Sequence, residues 1–158
     1  MIKPLIDNIV LREPSITDEN IVFDMKKEFI STYCKFNGTN DLNLYSDYIE
    51  WLAHTIKQTN SATFAEFDNA VKLTYLAIDS TSNQLIGMIE IVLYTSSHTR
   101  RAHVIICVRP SARRKGYGKV LTKKSIYECN SLGVRKEFIT FEHNSKASSD
   151  TMSKIIDF

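Results

Sequence analysis

The sequence predicts one α+β domain over residues 1–158, with helices packed on a mostly antiparallel central sheet. Apolar residues recur with the helical period of about 3.6 in the first third of the chain, and with the strand period of two from residue 71 onward. The nearly continuous apolar run His103–Val108 is typical of a central strand. A length of 158 residues suits one domain with one sizeable core.

The first half of the chain predicts an edge strand followed by two helices. Asn8–Arg12 is a short apolar run before a proline, and the polar stretches Cys34–Leu44 and Thr59–Asn69 predict loops. Candidate capping residues stand before both helices: Thr17 or Asp18, and Ser46 or Asp47. The residues predicted to face the core are Val22, Met25, Phe29 and Ile30 in the first helix and Tyr48, Ile49, Leu52 and Ile56 in the second.

The second half predicts a sheet with one helix inserted before its last strand. Alternation of apolar and polar residues and enrichment in β-branched residues favour strands here, and Asp79–Asn83 favours a turn between the first two. The predicted elements are strands at Val71–Ala77, Leu85–Tyr94, His103–Val108 and Phe138–Phe141, a helix at Lys115–Leu132 that Gly133 ends, and a final helix near Ser145–Ser148.

Composition argues against several classes of protein. Three cysteines without CxxC spacing predict neither a disulfide framework nor a zinc site. His98 and His103 lack a third candidate ligand, so no metal is expected. The N-terminal residues do not resemble a signal peptide, and no apolar run approaches the roughly 20 residues that span a bilayer. We therefore expect a reduced, cytoplasmic protein that does not bind a membrane.

A strand-to-helix junction carries the most specific chemical signal. Arg109–Lys124 contains seven basic residues and no acidic one, which predicts a surface that attracts anions. The first N–H groups of a helix have no partner within the helix, and glycines at Gly116 and Gly118 allow close approach of a phosphate to that backbone. The alternative is a solvated basic loop that caps a helix. The spacing matches neither a P-loop nor a Rossmann fingerprint.

A nucleic-acid interface is a further reading of the same basic run. Proteins of that class interleave aromatic residues with their basic ones, and here only Tyr117 does so. The net charge of +2 is also close to neutral. We therefore expect no nucleic-acid partner.

The junction also resembles a known family. Arg113-x-x-Gly116-x-Gly118 matches the R/Q-x-x-G-x-G/A signature of the GNAT family of N-acetyltransferases, and the longer string His103–Gly118 is similar to a bacterial branch of predicted acetyltransferases that carries VRPSxRrKGY. Weaker similarities to the same family lie at Leu85-Ile86-Gly87, at Leu11–Pro14 and at Glu142–Ser148.

This resemblance implies an acetyltransferase fold and acetyl-coenzyme A as co-substrate. An acetyl group would pass to a primary amine, on a small molecule or a protein, by direct attack in a ternary complex. The pyrophosphate would rest on the loop Arg113–Gly118, and the pantetheine arm would pair with the end of the preceding strand. The implied cofactor-binding residues are Ile106, Cys107, Val108, Arg113, Arg114, Lys115, Gly116, Tyr117, Gly118 and Ser148.

Two residues are candidates for the base that deprotonates the amine. Glu90 lies within the predicted strand Leu85–Tyr94, and His103 opens the predicted central strand. The alternative for Glu90 is a solvent-facing strand carboxylate, and for His103 a packed or exposed histidine. Cys107 can equally be a small buried hydrophobic residue.

The last part of the sequence departs from the family pattern. Many relatives place a tyrosine acid on the last helix, and Ser149–Ser153 contains none. The family also continues into one or two further strands, so we expect these C-terminal strands to be missing and the strand Phe138–Phe141 to present an open edge. A homodimer through that edge, and a non-catalytic acyl-coenzyme A binder, are therefore alternatives that remain open.

Overall fold

The computed structural model describes residues 8–32, 39–60, 70–95 and 99–142, and it has the predicted α+β architecture. Its strands and helices are, in chain order, β1 (Ile9–Arg12), α1 (Glu19–Ser31), α2 (Tyr48–Asn60), β2 (Ala70–Asp79), β3 (Gln84–Tyr94), β4 (Arg101–Val108), α3 (Tyr117–Ser131) and β5 (Ile139–Glu142). Short 3₁₀ helices lie at Ile16–Asp18, Thr39–Leu44, Pro110–Ala112 and Lys136–Phe138. The predicted final helix near Ser145–Ser148 lies outside the described residues.

The five strands form one sheet in the order β1-β2-β3-β4-β5. The first three pairs are antiparallel, and β5 pairs with β4 in parallel after the crossover through α3. β1 is thus an edge strand and β4 lies inside the sheet, as the sequence predicts. The β4–β5 register runs from Ala102 opposite Ile139 to Ile105 opposite Glu142, whereas β4 itself continues to Val108.

Helices cover both faces of the sheet, so the core has two layers. Alternate residues of a strand face opposite sides, and both sides of β3 are apolar for that reason. The layer under α3 contains, among others, Ile89, Ile91, Val104, Ile106, Tyr117 and Leu121. The layer under α1 and α2 contains, among others, Val22, Phe29, Trp51, Leu76, Met88 and Cys107.

A bidentate ion pair ties β1 to the start of α1. Nη1 and Nη2 of Arg12 donate to the two carboxylate oxygens of Asp18 at 2.7 and 2.8 Å, and the Ser15 N–H donates to the same carboxylate at 2.7 Å. The Arg12 hydrogen bond is the largest cause that lowers the pKa of Asp18. Asp18 stands at the N-cap position of α1, but its carboxylate binds Arg12 rather than capping that helix. In α2 the expected cap is present, since Asp47 accepts the Glu50 N–H at 3.1 Å.

Three residues predicted to face the core are instead exposed. Ile30 is 65 % exposed, and Ile49 and Ile56 are each 51 % exposed. In α2, Trp51 and Thr55 are buried beside Tyr48 and Leu52. The helical period identifies an apolar stripe, but the sheet covers only one side of each helix, so residues at the margin of the stripe remain outside.

Several boundaries also differ from the predictions. Part of the expected loop Cys34–Leu44 forms the 3₁₀ helix Thr39–Leu44, which buries Leu42 in the core. Phe138 belongs to a 3₁₀ helix rather than to β5. Gly133 follows α3 with a φ of +86°, the left-handed conformation that favours glycine after a helix. Within the described ranges, no helix is long and apolar enough to cross a membrane.

Candidate functional site

The junction between β4 and α3 is built as an open helix N-terminus. After β4, Pro110–Ala112 forms one 3₁₀ turn, and Arg114 and Gly116 take positive φ angles of 62° and 87°. Gly116 is the N-cap residue of α3, and no described side chain caps this end. The first N–H groups of α3 are therefore available to an anion, with the partial positive charge of the helix dipole behind them.

Both glycines of the junction face open space. A Cβ atom built on Gly116 or Gly118 has no described neighbour within 4 Å, so packing inside the protein does not explain either glycine. Gly116 is required by its positive φ, but Gly118 lies within the first turn of α3 and has no such constraint. The open surface at Gly118 fits a ligand that approaches the helix backbone closely, as a pyrophosphate does.

A glutamate from α1 holds the loop in place. Oε2 of Glu28 accepts a hydrogen bond from Arg109 Nε at 3.0 Å and one from the Ser111 N–H at 3.3 Å. Arg109 also donates to the Leu85 carbonyl at 2.9 Å. Burial opposes ionisation of Glu28, but the hydrogen bonds from Ser111 and Arg109 prevail and lower its pKa. The sequence predicts that Arg109 helps to attract anions, but in the structure the Glu28 carboxylate already neutralises its charge.

The other side chains of the loop fall into two groups. Arg113 is exposed, donates to the Val108 carbonyl at 3.2 Å and lies over the Phe29 ring at 5.5 Å. Arg114 and Lys115 are exposed, whereas the Tyr117 side chain is buried in the core layer under α3. Of the residues implied by resemblance, Tyr117 therefore has only its backbone to offer a ligand. Ser148 lies outside the described residues.

The end of β4 offers a backbone edge next to the loop. Pairing with β5 covers Ala102–Ile105, so Ile106–Val108 extend past the last described β5 pair. The opposite edge of this segment is held tightly by β3, because a Cβ atom on Gly87 would lie 2.1 Å from the Cys107 carbonyl oxygen. Burial raises the pKa of the Cys107 thiol to about 12, although the positive charge of Arg113 acts in the opposite direction. The thiol is therefore protonated near neutral pH and is a poor nucleophile.

Glu90 is a buried carboxylate in the middle of the sheet. It is 4 % exposed, so the solvent-facing alternative predicted from the sequence is wrong. Its strand partners are Thr74 in β2 and Ile105 in β4, and Lys72 Nζ lies 3.6 Å from its Oε1. Both faces of β3 are covered, so the alternation of residues along the strand could not reveal this burial.

His103 lies on the same face of the sheet as Glu90. It stands two residues before Ile105, the strand partner of Glu90, which makes the two side chains diagonal neighbours at roughly 7–8 Å between Cα atoms. Its Nδ1 lies 2.8 Å from Thr140 Oγ1 on β5. The structure thus brings both candidate bases to the face of the sheet under α1 and α2, with His103 on β4 itself and Glu90 on the adjacent strand β3.

Sequence reasoning missed Glu28, Lys72 and Phe29 as parts of the site. Glu28 is 81 residues from Arg109, and no local pattern marks such a contact. Among the described residues, no group of three or more His, Cys, Asp or Glu side chains could hold a metal ion.

Solved structures of similar fold include acetyltransferases. Glucosamine-6-phosphate N-acetyltransferase from Arabidopsis thaliana superposes with a TM-score of 0.59 at 12 % identity, covering 95 % of this chain and 90 % of its own. An acetyltransferase from Trypanosoma brucei gives 0.58 at 16 % identity, covering 93 % and 90 %. A GNAT family acetyltransferase from Staphylococcus aureus gives 0.54 at 20 % identity, covering 88 % and 89 %. At these identities the likeness concerns the fold.

The sequence itself matches a family model. Residues 42–149 match the model of the acetyltransferase (GNAT) family, which is more than half of the chain. A comparison with curated proteins found no significant match. The matched segment contains β4, the open N-terminus of α3 and Glu90. On this match and the shared fold, the chain belongs to the GNAT family of acetyltransferases.

Proposed function

We propose that this chain is a cytoplasmic N-acetyltransferase that transfers the acetyl group of acetyl-coenzyme A to a primary amine by direct attack in a ternary complex. The observation that carries the proposal is the open N-terminus of α3: its two glycines meet no described atom within 4 Å, and the end of β4 beside them extends past the last described β5 pair. A basic loop, exposed helix N–H groups and an adjacent strand edge suit a diphosphate joined to an extended amide-containing arm.

The loop would hold the diphosphate chiefly through its backbone. The N–H groups at Gly116–Gly118 point out of the helix start, and Arg114 and Lys115 add positive charge around them. Arg113 is held by the Val108 carbonyl and by Phe29, so it also fixes the course of the loop. The pantetheine amides would pair with the backbone of Ile106–Val108, as a strand pairs with a sheet edge.

The thioester supplies an activated acetyl group when it is bound. A backbone N–H of Ile106–Val108 would stabilise the negative charge that develops on its carbonyl oxygen. Cys107 is not expected to form an acyl-enzyme, because burial raises the pKa of its thiol and a protonated thiol is a poor nucleophile. The amine must be neutral to attack, so Glu90 or His103 would accept its proton directly or through water.

Binding and turnover test the proposal separately. Calorimetry should show acetyl-coenzyme A binding, and a thiol assay should show release of coenzyme A when primary amines are supplied. Absence of binding would overturn the proposal. Binding without thiol release, for any amine in a broad panel, would instead favour the non-catalytic acyl-coenzyme A binder.

The base is tested by comparing Glu90→Gln with His103→Ala. We expect activity to rise with pH, because the acceptor amine must lose a proton before it attacks. The variant that removes the base should lower kcat/KM by at least about tenfold and flatten the pH profile. If neither variant does so, deprotonation proceeds through water or through ionisation of the free amine.

A further inference from the structure

Helix α2 buries two polar side-chain atoms for which the described part of the chain supplies no hydrogen-bond partner. These atoms are Oγ1 of Thr55 and Oε1 of Gln58. Thr55 is only 3 % exposed. Unpaired buried oxygens are destabilising and rare in native proteins, and each calls for a physical explanation, such as a water, an ion or another bound group that completes its hydrogen bonding.

A hydrogen bond near the C-terminal end of α2 joins the helix to β2. Near the C-terminal end, Oγ1 of Thr59 donates to the Lys72 carbonyl at 3.0 Å. Toward the N-terminal end, Trp51 belongs to the same core layer as Leu76. Thr55 lies one turn before Thr59 on the same side of α2, and Thr59 also donates to the Thr55 carbonyl at 3.1 Å, so the buried Thr55 side chain faces the sheet near Lys72.

The sheet beneath this part of α2 is polar. Thr74 occupies the middle of β2, and its partner in β3 is the buried Glu90. Lys72 lies 3.6 Å from Glu90, which is longer than a direct charge-assisted hydrogen bond of about 2.8 Å. Closer to the cofactor loop, the same face is apolar, formed by Leu76, Met88 and Cys107. We call the polar group, which comprises Thr55, Gln58, Lys72, Thr74 and Glu90, the α2–β3 patch.

The patch adjoins the edge at which the thioester would lie. The β4 partner of Glu90 is Ile105, and the next residues, Ile106–Val108, form the edge assigned above to the pantetheine arm. Directly paired residues in neighbouring strands have Cα atoms about 5 Å apart. An amine held by the Glu90 carboxylate is therefore within one strand spacing of the cofactor strand.

We propose that the α2–β3 patch binds the acceptor and selects a small primary amine that carries a hydroxyl group near the nitrogen. This inference rests on the acetyl transfer proposed above. Glu90 receives the ammonium group, while the Gln58 oxygen can only accept a hydrogen bond and the Thr55 hydroxyl can accept or donate. A hydroxylated amine satisfies these two oxygens, whereas an alkylamine leaves them buried and unpaired.

The reaction balances with these groups. The nitrogen forms a bond to the acetyl carbon as the carbon–sulfur bond breaks. The ammonium nitrogen loses two protons: the first passes to the base before attack, and the second passes, directly or through water, to the departing thiolate, so the products are the N-acetylated amine, free coenzyme A and the protonated base. Thr55 and Gln58 orient the acceptor and exchange no proton with it.

Two amines of equal carbon number test the selectivity. Calorimetry with 3-amino-1,2-propanediol and with propylamine, on the protein saturated with coenzyme A, should show the diol binding at least about fivefold more tightly. Thr55→Val, which keeps the shape and removes the hydroxyl, should reduce that preference to less than about twofold. Ser125→Ala is the matched control, because it removes a buried hydroxyl that already bonds to the Leu121 carbonyl, outside the patch.

A stability readout excludes a purely structural role for the hydroxyl. Since no described residue hydrogen-bonds to the Thr55 hydroxyl, Thr55→Val should leave the Tm unchanged or raise it. A lower Tm together with an unchanged amine preference would overturn the proposal, as would equal or tighter binding of propylamine by the unmodified protein, or no binding of either amine. A preference for the diol that depends on Thr55, seen without any thiol release, would support the patch and refute only the proposed function.

Discussion

Gly118→Val perturbs the proposed diphosphate site without disturbing the free protein. Gly118 lies in the first turn of α3, and a Cβ atom there meets no described atom within 4 Å. Valine has a somewhat higher helix propensity than glycine, so the free energy of unfolding should stay the same or rise by a few tenths of a kcal/mol. Gly116→Val is a poorer test, because the φ of +87° at Gly116 would strain any side chain.

The loss of affinity can be bounded from the contacts that the valine would block. A hydrogen bond to a charged group contributes about 1.5–3 kcal/mol. Losing one such bond from the helix start to a phosphate therefore raises the Kd of acetyl-coenzyme A by roughly 10- to 150-fold. Gly118→Ala is the control, since the family signature accepts alanine at this position, and we expect it to change the Kd by less than about threefold.

The Kd of acetyl-coenzyme A, measured by calorimetry, and the Tm, measured by thermal unfolding, test this prediction on Gly118→Val and Gly118→Ala. An unchanged Kd in Gly118→Val, with Gly116→Val also unaffected, would refute the placement of the diphosphate. A large fall in Tm for Gly118→Val would refute the inference that this glycine faces open space. Arg113→Ala should weaken binding less than Gly118→Val, because the backbone supplies most of the donors.

Three further predictions concern the supports of the site. Glu28→Gln should lower the free energy of unfolding by about 1–2 kcal/mol in urea titrations at neutral pH. Because the pKa of Glu28 is lowered in the folded protein, the stabilisation by its carboxylate is fully present above the unfolded-state pKa of 4.5. The difference in stability between the variant and the wild type should therefore vanish as the pH falls through the folded-state pKa. Gly87→Ala should lower the free energy of unfolding by about 1–3 kcal/mol and also weaken acetyl-coenzyme A binding, because the added Cβ would lie 2.1 Å from the Cys107 carbonyl oxygen. Unchanged stability and affinity would contradict this close contact. Cys107→Ala should keep kcat/KM within about threefold, whereas an acetyl adduct on Cys107 seen by mass spectrometry would exclude direct transfer.

The family and the conformation of the loop Arg113–Gly118 could be predicted from sequence because both depend on local signals. The order of elements follows from short-range periodicity, and the signature Arg113–Gly118 occupies six consecutive residues. Its conformation depends on a strand that ends and a helix that begins nearby, and both are marked by Pro110 and the glycines. The structure confirms the fold class and places these residues at an open helix start.

The proposed acceptor site could not be predicted from the sequence because its residues come together only in three dimensions. Thr55 and Glu90 reside on separate elements, and neither α2 nor β3 shows from its own pattern that both residues are buried on the same side of the sheet. The same holds for Ile30, whose place at the margin of an apolar stripe hid its exposure.

The sequence by itself therefore determined the α+β class, the sheet with its inserted helix, and the glycine-containing start of that helix. Tertiary structure alone decided that Glu90 is buried beside Lys72, that Glu28 anchors the loop through Arg109, and that the buried Thr55 hydroxyl has no hydrogen-bond partner among the described residues. The physical reason is the range of the interactions: helix and strand periods, turns and caps act over a few residues, whereas burial and pairing of charges depend on which surfaces the sheet brings together.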